Sequence, residues 1–382
     1  MNAPDTPKGE KTVLFIPVSG PQGAGEYYRA LTIAQACWAR HPDWDLNICV
    51  SRDAEVERPD GIRYHRLEAS PTRDSGGVER ILREIRPNLV IFDSTLRHRQ
   101  LKLCAQAGVD WVVYISSRPS SRRRGFGLRK LRGLDEHWLI TAPDEARLTG
   151  RERCFARLNP RLKIRFLSTL FPSDTSSEAS PFAEQPHVPE RGYVLFVSGG
   201  GGGSVDGEPI DRIFQQAARR FHAMTGHPTV LIAGPLSTVS LESVQGRVEI
   251  RSVAPGRLAA MIDQATLVVS GGGSLVQQVL AQGRPLIAVP AGGRDQPARL
   301  ERLAREKLLE TCATDPEAMA GRAAALLQDR NARDSLITHA GEHGFTNDMP
   351  EVLAAVERLL GAANEAVPAG PARVVPPRAG ER

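Results

Sequence analysis

Cysteine is scarce and scattered: five residues in 382, at positions 37, 49, 104, 154 and 312, with no Cys-x-x-Cys spacing among them. A disulfide framework and a structural zinc site both need paired spacings, so neither is expected, and a reducing compartment suits such a chain. Aromatic residues make up only 5%. No stacking motif accompanies the arginines, which argues against nucleic acid as a partner. No run approaches the roughly twenty apolar residues needed to span a bilayer. The opening residues, MNAPDTPKGEK, lack the apolar segment of a signal peptide and read as a polar, disordered lead over 1–11. Two enzyme classes lack their marks as well. Residues 19–25 (SGPQGAG) do not have the Gly-x-Gly-x-x-Gly spacing of a nicotinamide enzyme, and Ser274 is not followed two residues later by the glycine of a hydrolase elbow.

What is present is ordinary for a globular chain, with 41% hydrophobic and 24% charged residues. The net charge of +5 permits anionic partners without choosing among them. The length suits two domains rather than one core. Residues 12–18 (TVLFIPV) form an apolar run of strand length. A glycine-rich loop and then an amphipathic helix from Glu26 follow it. Strand, glycine loop and helix make the first half of a mononucleotide-binding unit. Further strands are expected at 46–50, 89–92, 111–115 and 136–141, with helices at 78–86 and 100–107. Alternation of this kind implies a parallel sheet covered on both faces.

Residues 172–192 are rich in Pro, Ser and Glu and read as an interdomain linker. The pattern then restarts: strand 193–197, glycine loop 198–204, helix 210–225, strands 229–233 and 248–251, helix 257–264. The densest signals lie in 268–296, VVSGGGSLVQQVLAQGRPLIAVPAGGRDQ. Here a buried strand meets a turn at Gly271, Gly272 and Gly273. Ser274 suits the N-cap of helix 275–282, and a strand at 286–289 leads to Asp295-Gln296. A helix opening from a glycine turn is a ready phosphate site. Helices at 300–307, 316–327, 331–343 and 351–360 follow, and 362–382 is a Pro/Ala-rich, disordered tail. The fold class is therefore α/β: two Rossmann-like domains, 12–171 and 193–346, with parallel sheets facing across a cleft, and a C-terminal helix in 347–361.

Several side chains carry two readings. Glu26 follows a glycine loop at a strand's carboxyl end, so it is the first choice for a catalytic base; an acid there also complements the helix dipole. Arg29, one turn on, could pair with it. Asp93 ends another strand of the same sheet, and is either catalytic or the N-cap of the next helix. Gly23 and Gly25 would contact acceptor or phosphate. Residues 118–133 (RPSSRRRGFGLRKLRG) are basic without an acid. They form either a solvated loop with a basic helix face, or a contact from Arg122, Arg123 and Arg124 to phosphate or anionic lipid, with Phe126 and Leu128 as apolar tips. His98 and His137 have no partner pattern and read as structural. No Asp-x-Asp stands at a strand end in the first half, so no essential metal is expected.

The motifs of 268–296 resemble those of GT-B glycosyltransferases, and specifically the MurG-like family (glycosyltransferase family 28, C-terminal domain). The matching pieces are Ser270-Gly271-Gly272-Gly273-Ser274, Gly283-Arg284-Pro285, Val289-Pro290 and Asp295-Gln296. The resemblance covers the second half well and the first loosely. It implies that Asp295 and Gln296 contact a donor sugar, that Ser252, Val253 and Ala254 cradle its base, and that Ser198, Gly199 and Gly200 lie near its diphosphate. Cations for the leaving group would be Arg257 or Arg294, the latter with a second reading as a surface charge or a partner of Asp295. Two departures stand out. Gln278 occupies the place of a ribose-binding Glu, which removes charge assistance, and Glu26 occupies the place of a His. The resemblance implies sugar transfer from a nucleotide-sugar donor, UDP-linked, to a glycan or lipid-linked acceptor, with inversion. No metal and no cofactor beyond the donor as co-substrate are expected. The protein would be cytoplasmic, and peripheral on the inner face of the membrane if the basic run meets an anionic surface. Two other readings stay open: a nucleotide-sugar hydrolase or epimerase, and a non-catalytic donor-binding subunit of a glycan-assembly complex.

Overall fold

The structure is a computed structural model that describes residues 11–19, 25–54, 58–127, 129, 133–172, 188–200, 202–293 and 295–361. The first half is a seven-stranded parallel sheet. Its strands are β1 (Thr12–Pro17), β2 (Asp45–Ser51), β3 (Arg63–Leu67), β4 (Leu89–Asp93), β5 (Trp111–Ser116), β6 (Glu136–Ile140) and β7 (Lys163–Leu167), in spatial order β3-β2-β1-β4-β5-β6-β7. Every residue from Val13 to Ile16 is fully buried. Val13 and Phe15 pack under α1 (Gly25–Arg40), whereas Leu14 and Ile16 pack under α2 (Ser75–Ile85) and α3 (His98–Gln106). Side chains alternate across a strand, so an unbroken apolar run is what two covered faces require.

The second half repeats the plan with five parallel strands: β8 (Val194–Val197), β11 (Thr229–Ile232), β12 (Arg247–Ile250), β13 (Leu267–Gly271) and β14 (Leu286–Val289), ordered β12-β11-β8-β13-β14. A two-residue hairpin, β9 (Ser204–Val205) and β10 (Glu208–Pro209), lies outside that sheet. Leu195 and Val197 face α7 (Pro255–Gln264) and α8 (Leu275–Ala281). Val194 and Phe196 face α6 (Ile210–Thr225) and α10 (Pro316–Gln328). Among the described residues no helix is long and apolar enough to cross a membrane.

In each sheet the order of strands reverses once, between β1 and β4 in the first and between β8 and β13 in the second. Crevices at such switch points, outside the carboxyl ends of the strands, are where these sheets bind ligands.

The last helix, α12 (Met349–Leu359), returns to the first half. Val352, Val356 and Leu359 join the core under α1, and Glu357 binds Arg40 at 2.7 Å and His41 at 2.8 Å. Its N-terminal turn is tied by Asp348, which accepts from the Ser168 amide.

Two strands go beyond the expected elements, and three expectations about local structure differ from what is found. The edge strands β3 (RYHRL) and β7 (KIRFL) carry no apolar run, because half-exposed edges tolerate charge. The helix after β14, α9 (Gln296–Arg305), begins four residues earlier than expected. Ser274 is not a side-chain N-cap: it is already helical and accepts no capping bond. Asp93 caps no helix either, since the next one starts at His98 after Arg97.

Candidate functional site

Beyond the carboxyl ends of both sheets lies a cavity of about 260 Å³, lined from both halves of the chain. The first half contributes Gly25, Tyr28, Arg29 and Thr32, which share one face of α1 at helical spacing. It also contributes Ile140 at the end of β6 and the crossover 169–172. The second half contributes loop residues after three strands: Gly199 and Gly200 after β8, Gly234 and Pro235 after β11, Ser252 and Val253 after β12. Pro255 and Leu258 of α7, together with Ser274, Leu275, Gln277 and Gln278 at α8, complete the wall.

The glycines divide by physical cause. Gly199 has φ +94°, a left-handed backbone that side chains rarely adopt, with open space where a Cβ would be. Gly271 is required by packing against backbone, whereas Gly272 is crowded by the movable end of a side chain. A Cβ on Gly271 would stand 2.9 Å from the Ser198 carbonyl oxygen, and one on Gly272 would stand 2.8 Å from Leu300 Cδ1. Gly273 meets nothing within 4 Å, and none of these three lines the cavity.

Other residues of the expected donor set also hold the loops rather than the cavity wall. Ser198 is buried and donates to the Ala233 carbonyl at 2.6 Å, fastening the end of β8 to that of β11. Ala254 is the residue before α7 and does not line the cavity, unlike its neighbours Ser252 and Val253. Gln296 Oε1 accepts from the Ala291 amide at 2.6 Å and folds the loop after β14 back on itself. Asp295 pairs with Arg299 at 2.7 Å on the surface. Arg257 does not line the cavity. Arg294 and Gly23 lie outside the described residues, as does Leu128.

Gln278 does line the cavity. Its Nε2 donates to Gln282 Oε1 at 3.2 Å, and Gln282 in turn donates to the Ala259 carbonyl at 2.7 Å. That chain uses one of the two Gln278 N–H donors, which orients the amide and leaves its oxygen to accept from a ligand hydroxyl.

Among the described lining residues one is charged, Arg29. It does not pair with Glu26 as its spacing suggested. Its Nε and Nη2 instead meet the two oxygens of Asp93, both at 2.7 Å, and Ser94 Oγ donates to the same carboxylate at 3.2 Å. Burial pushes the Asp93 carboxyl above the ordinary range; Arg29 opposes that, and Glu26 nearby adds repulsion. Burial also works against the Arg29 charge, and Asp93 more than offsets it, so the guanidinium lies above its ordinary value. Two short parallel bonds are the geometry of an ionised pair, and the pair is read as charged. Asp93 is therefore engaged at the floor of the crevice.

Glu26 is 7% exposed and sits off the cavity-lining face of α1. Its partner is Arg118, at 3.1 Å, whose own side chain is largely in solvent.

The basic segment is bound into the first half more than its composition suggests. Over α4 (Pro119–Gly125), Arg122 makes two bonds to Glu152, at 2.8 and 2.9 Å. Arg124 donates to the Ser94 carbonyl at 2.8 Å. Arg123 is exposed and, among the described residues, reaches only the Pro119 carbonyl, at 3.4 Å. Phe126 is not an apolar tip: it is buried against His137. His137 is fully buried with Nε2 2.8 Å from Ser116 Oγ, and burial pushes its pKa down to about 3. Among the described residues no group of three or more His, Cys, Asp or Glu side chains could hold a metal ion.

The sequence reading missed Tyr28, Thr32, the crossover 169–172 and Gly234-Pro235. The α1 residues had a usable signal, since they repeat at helical spacing from Gly25. The crossover had none, because its place in the cavity depends on how the two halves meet.

No family profile matches the chain, and no curated protein sequence does. Solved structures do. Phytolacca americana UGT2, complexed with UDP-2-fluoro-glucose and pterostilbene, superposes over 92% of this chain and 100% of its own, with TM-score 0.61 and 11% identity. Acinetobacter baumannii MurG matches over 91% and 99%, with TM-score 0.55 and 12% identity. The glycosyltransferase SnogD from Streptomyces nogalater matches over 92% and 100%, with TM-score 0.59 and 17% identity. At such identities the likeness concerns architecture, and the two parallel sheets meeting at one cavity are the GT-B fold.

Proposed function

We propose that the chain is a MurG-like glycosyltransferase that moves a sugar from a UDP-sugar held by its second half to a hydroxyl of an acceptor held by its first. The observation that carries this reading is one cavity lined from both halves at the carboxyl ends of both sheets. Donor and acceptor must meet in a water-poor space, and this is the place the fold provides for it. Val253, Pro255 and Leu258 suit the face of a base, and Gln278 Oε1 suits a ribose hydroxyl. The open loop at Gly199-Gly200 suits a diphosphate. The solved complex of the Phytolacca protein with UDP-2-fluoro-glucose supports a nucleotide sugar as the donor class. On the first half's side Tyr28, Ile140, Leu170 and Phe171 give the wall a large apolar share beside Arg29, Thr32 and Thr169. That favours a lipid-linked acceptor over a bare glycan.

In the step itself the acceptor oxygen bonds to the anomeric carbon as the bond to the diphosphate breaks. The diphosphate leaves with the bonding pair, and the configuration inverts. The acceptor proton passes to a base, for which Glu26 is the candidate: it follows the lining residue Gly25 but faces off the wall, so Arg118 has to move aside and the carboxylate has to turn toward the cavity. An exposed arginine is held weakly enough for that. No metal is assigned to the reaction.

One observation favours a second reading, a donor-binding subunit without catalysis. Among the described residues lining the cavity, none is Asp, Glu or His. A thermal-shift screen of nucleoside diphosphates and their sugars tests the donor site, because a ligand of the native state raises the midpoint. Release of UDP by the isolated chain, with and without lipid-linked acceptors, then separates the readings. Stabilisation without release under any acceptor supports the subunit. Release of UDP and free sugar without acceptor supports a hydrolase. No stabilisation by any uridine, thymidine or guanosine diphosphate compound refutes the donor site.

A further inference from the structure

We propose that Arg29 contacts the diphosphate of a bound nucleotide, reaching it from the half opposite to the one that holds the nucleoside. The proposal rests on the nucleotide-sugar reading above. Three observations carry it. Arg29 is the one charged side chain among the described residues lining the cavity. Its Nε and Nη2 are occupied by Asp93, and Nη2 also lies 3.4 Å from Ser117 Oγ. Among the described residues Nη1 then has no protein acceptor, on a side chain that is 11% exposed and lines the cavity.

The physical consequence follows from this geometry. Asp93 is 1% exposed and grips one edge of the guanidinium, so the free edge is fixed in direction before any ligand arrives. The same cavity is lined by the apolar Ile140, Leu170, Phe171 and Leu258, and the other carboxylate that acts on the pair, Glu26, does not line it. In surroundings of low dielectric a single oriented cation is worth more to an anion than it is in water. A planar guanidinium also matches phosphate oxygens better than an ammonium does. The pair with Asp93 is neutral overall, so the gain is that of an oriented dipole, on the order of tenfold in affinity rather than many decades. Asp93 is a positioning residue for this contact. A nucleoside held by Val253 and Gln278 and a diphosphate held by Arg29 would bridge the two halves.

The test is isothermal titration of uridine, UDP and inorganic pyrophosphate into the full chain, its Arg29→Gln variant and the double variant Arg29→Gln/Asp93→Asn. The wild type should bind UDP about tenfold or more tighter than uridine. Arg29→Gln should abolish that preference while leaving the affinity for uridine unchanged. The double variant leaves no buried charge, so it keeps the test valid if the single variant fails to fold. Asp93→Asn alone should weaken UDP but not uridine, a selectivity that a merely structural role would not produce. A UDP preference that survives in the foldable variants overturns the proposal, as does failure of both UDP and pyrophosphate to bind the wild type. If nucleosides and UDP do not bind but pyrophosphate does so in an Arg29-dependent way, the donor reading falls and the anion contact stands.

Discussion

Arg29 grips Asp93 edge-on, Nε to Oδ2 and Nη2 to Oδ1, each at 2.7 Å. The pair spans the switch point of the first sheet, since Arg29 lies on the helix after β1 and Asp93 ends β4 beside it. Asp93→Ala leaves a buried guanidinium without its carboxylate, and should cost about 3–5 kcal/mol of stability. Replacing both residues by apolar ones of similar volume should cost far less. Urea unfolding of the two variants checks this. Equal losses would mean that the pair is not the source of the effect.

His137 sets an acid limit on stability. Its pKa in the folded protein is about 3, against 6.5 for the ordinary imidazole. Above pH 6.5 it is neutral in both states and contributes no pH dependence. Between those values the unfolded chain binds a proton that the folded chain refuses, so stability falls as pH is lowered through that window. At pH 5 the loss from this group should be about 2 kcal/mol relative to pH 7. His137→Gln should therefore show a shallower fall in denaturant midpoint from pH 7 to pH 5 than the wild type. Parallel profiles would refute the assignment.

Two of the three glycines after Ser270 should respond differently to alanine. Gly271→Ala drives a Cβ to 2.9 Å from the Ser198 carbonyl and 3.0 Å from the Ala291 Cβ, and should cost about 1–3 kcal/mol. Gly273→Ala meets open space and should leave the melting temperature nearly unchanged. Melting curves of the two variants decide between a packing role and a ligand-contacting role for this turn.

Glu26 and Arg118 form an ion pair whose arginine is mostly in water. Arg118→Ala should change stability by less than about 1 kcal/mol. If Glu26 is the base, Glu26→Gln should lower UDP release to an acceptor by about a hundredfold or more without changing donor affinity. Full turnover in Glu26→Gln would place the base elsewhere.

Gln278 offers a neutral acceptor to the cavity. Gln278→Glu should tighten UDP binding several-fold, because a charged acceptor strengthens a hydroxyl hydrogen bond. The same change should have no effect on a nucleotide lacking both ribose hydroxyls. Equal changes with both ligands would show that Gln278 does not contact the ribose.

The parts of the fold that were legible share one property: their signal is local. The central strands β1, β4, β8 and β13 are apolar runs because both faces of each sheet are covered. Helix Ile210–Thr225 was readable to the residue, since its apolar stripe is strong and Gly226 ends it in a left-handed turn. The edge strands β3 and β7 were not readable, because half-exposed strands are free to carry arginine and lysine.

The site was legible only in part. Gly199, Gly200, Ser252, Val253 and Gln278 are implied by the resemblance to GT-B glycosyltransferases, Ser274 by the glycine turn before its helix, and all line the cavity. Asp295 and Gln296 are implied by the same resemblance and do not line it. Their motif is equally explained by the loop it closes, through the Gln296 bond to Ala291.

By itself the sequence determined the layered α/β architecture and the glycine loops at the strand ends, because burial and backbone freedom act on neighbouring residues. Partners were decided by tertiary structure alone. Arg29 had Glu26 three positions away on its own helix, yet it chose Asp93, 64 residues distant, because the switch point sets that carboxylate beside it. Charge pairing depends on distance in space and on burial, and neither is written in spacing along the chain.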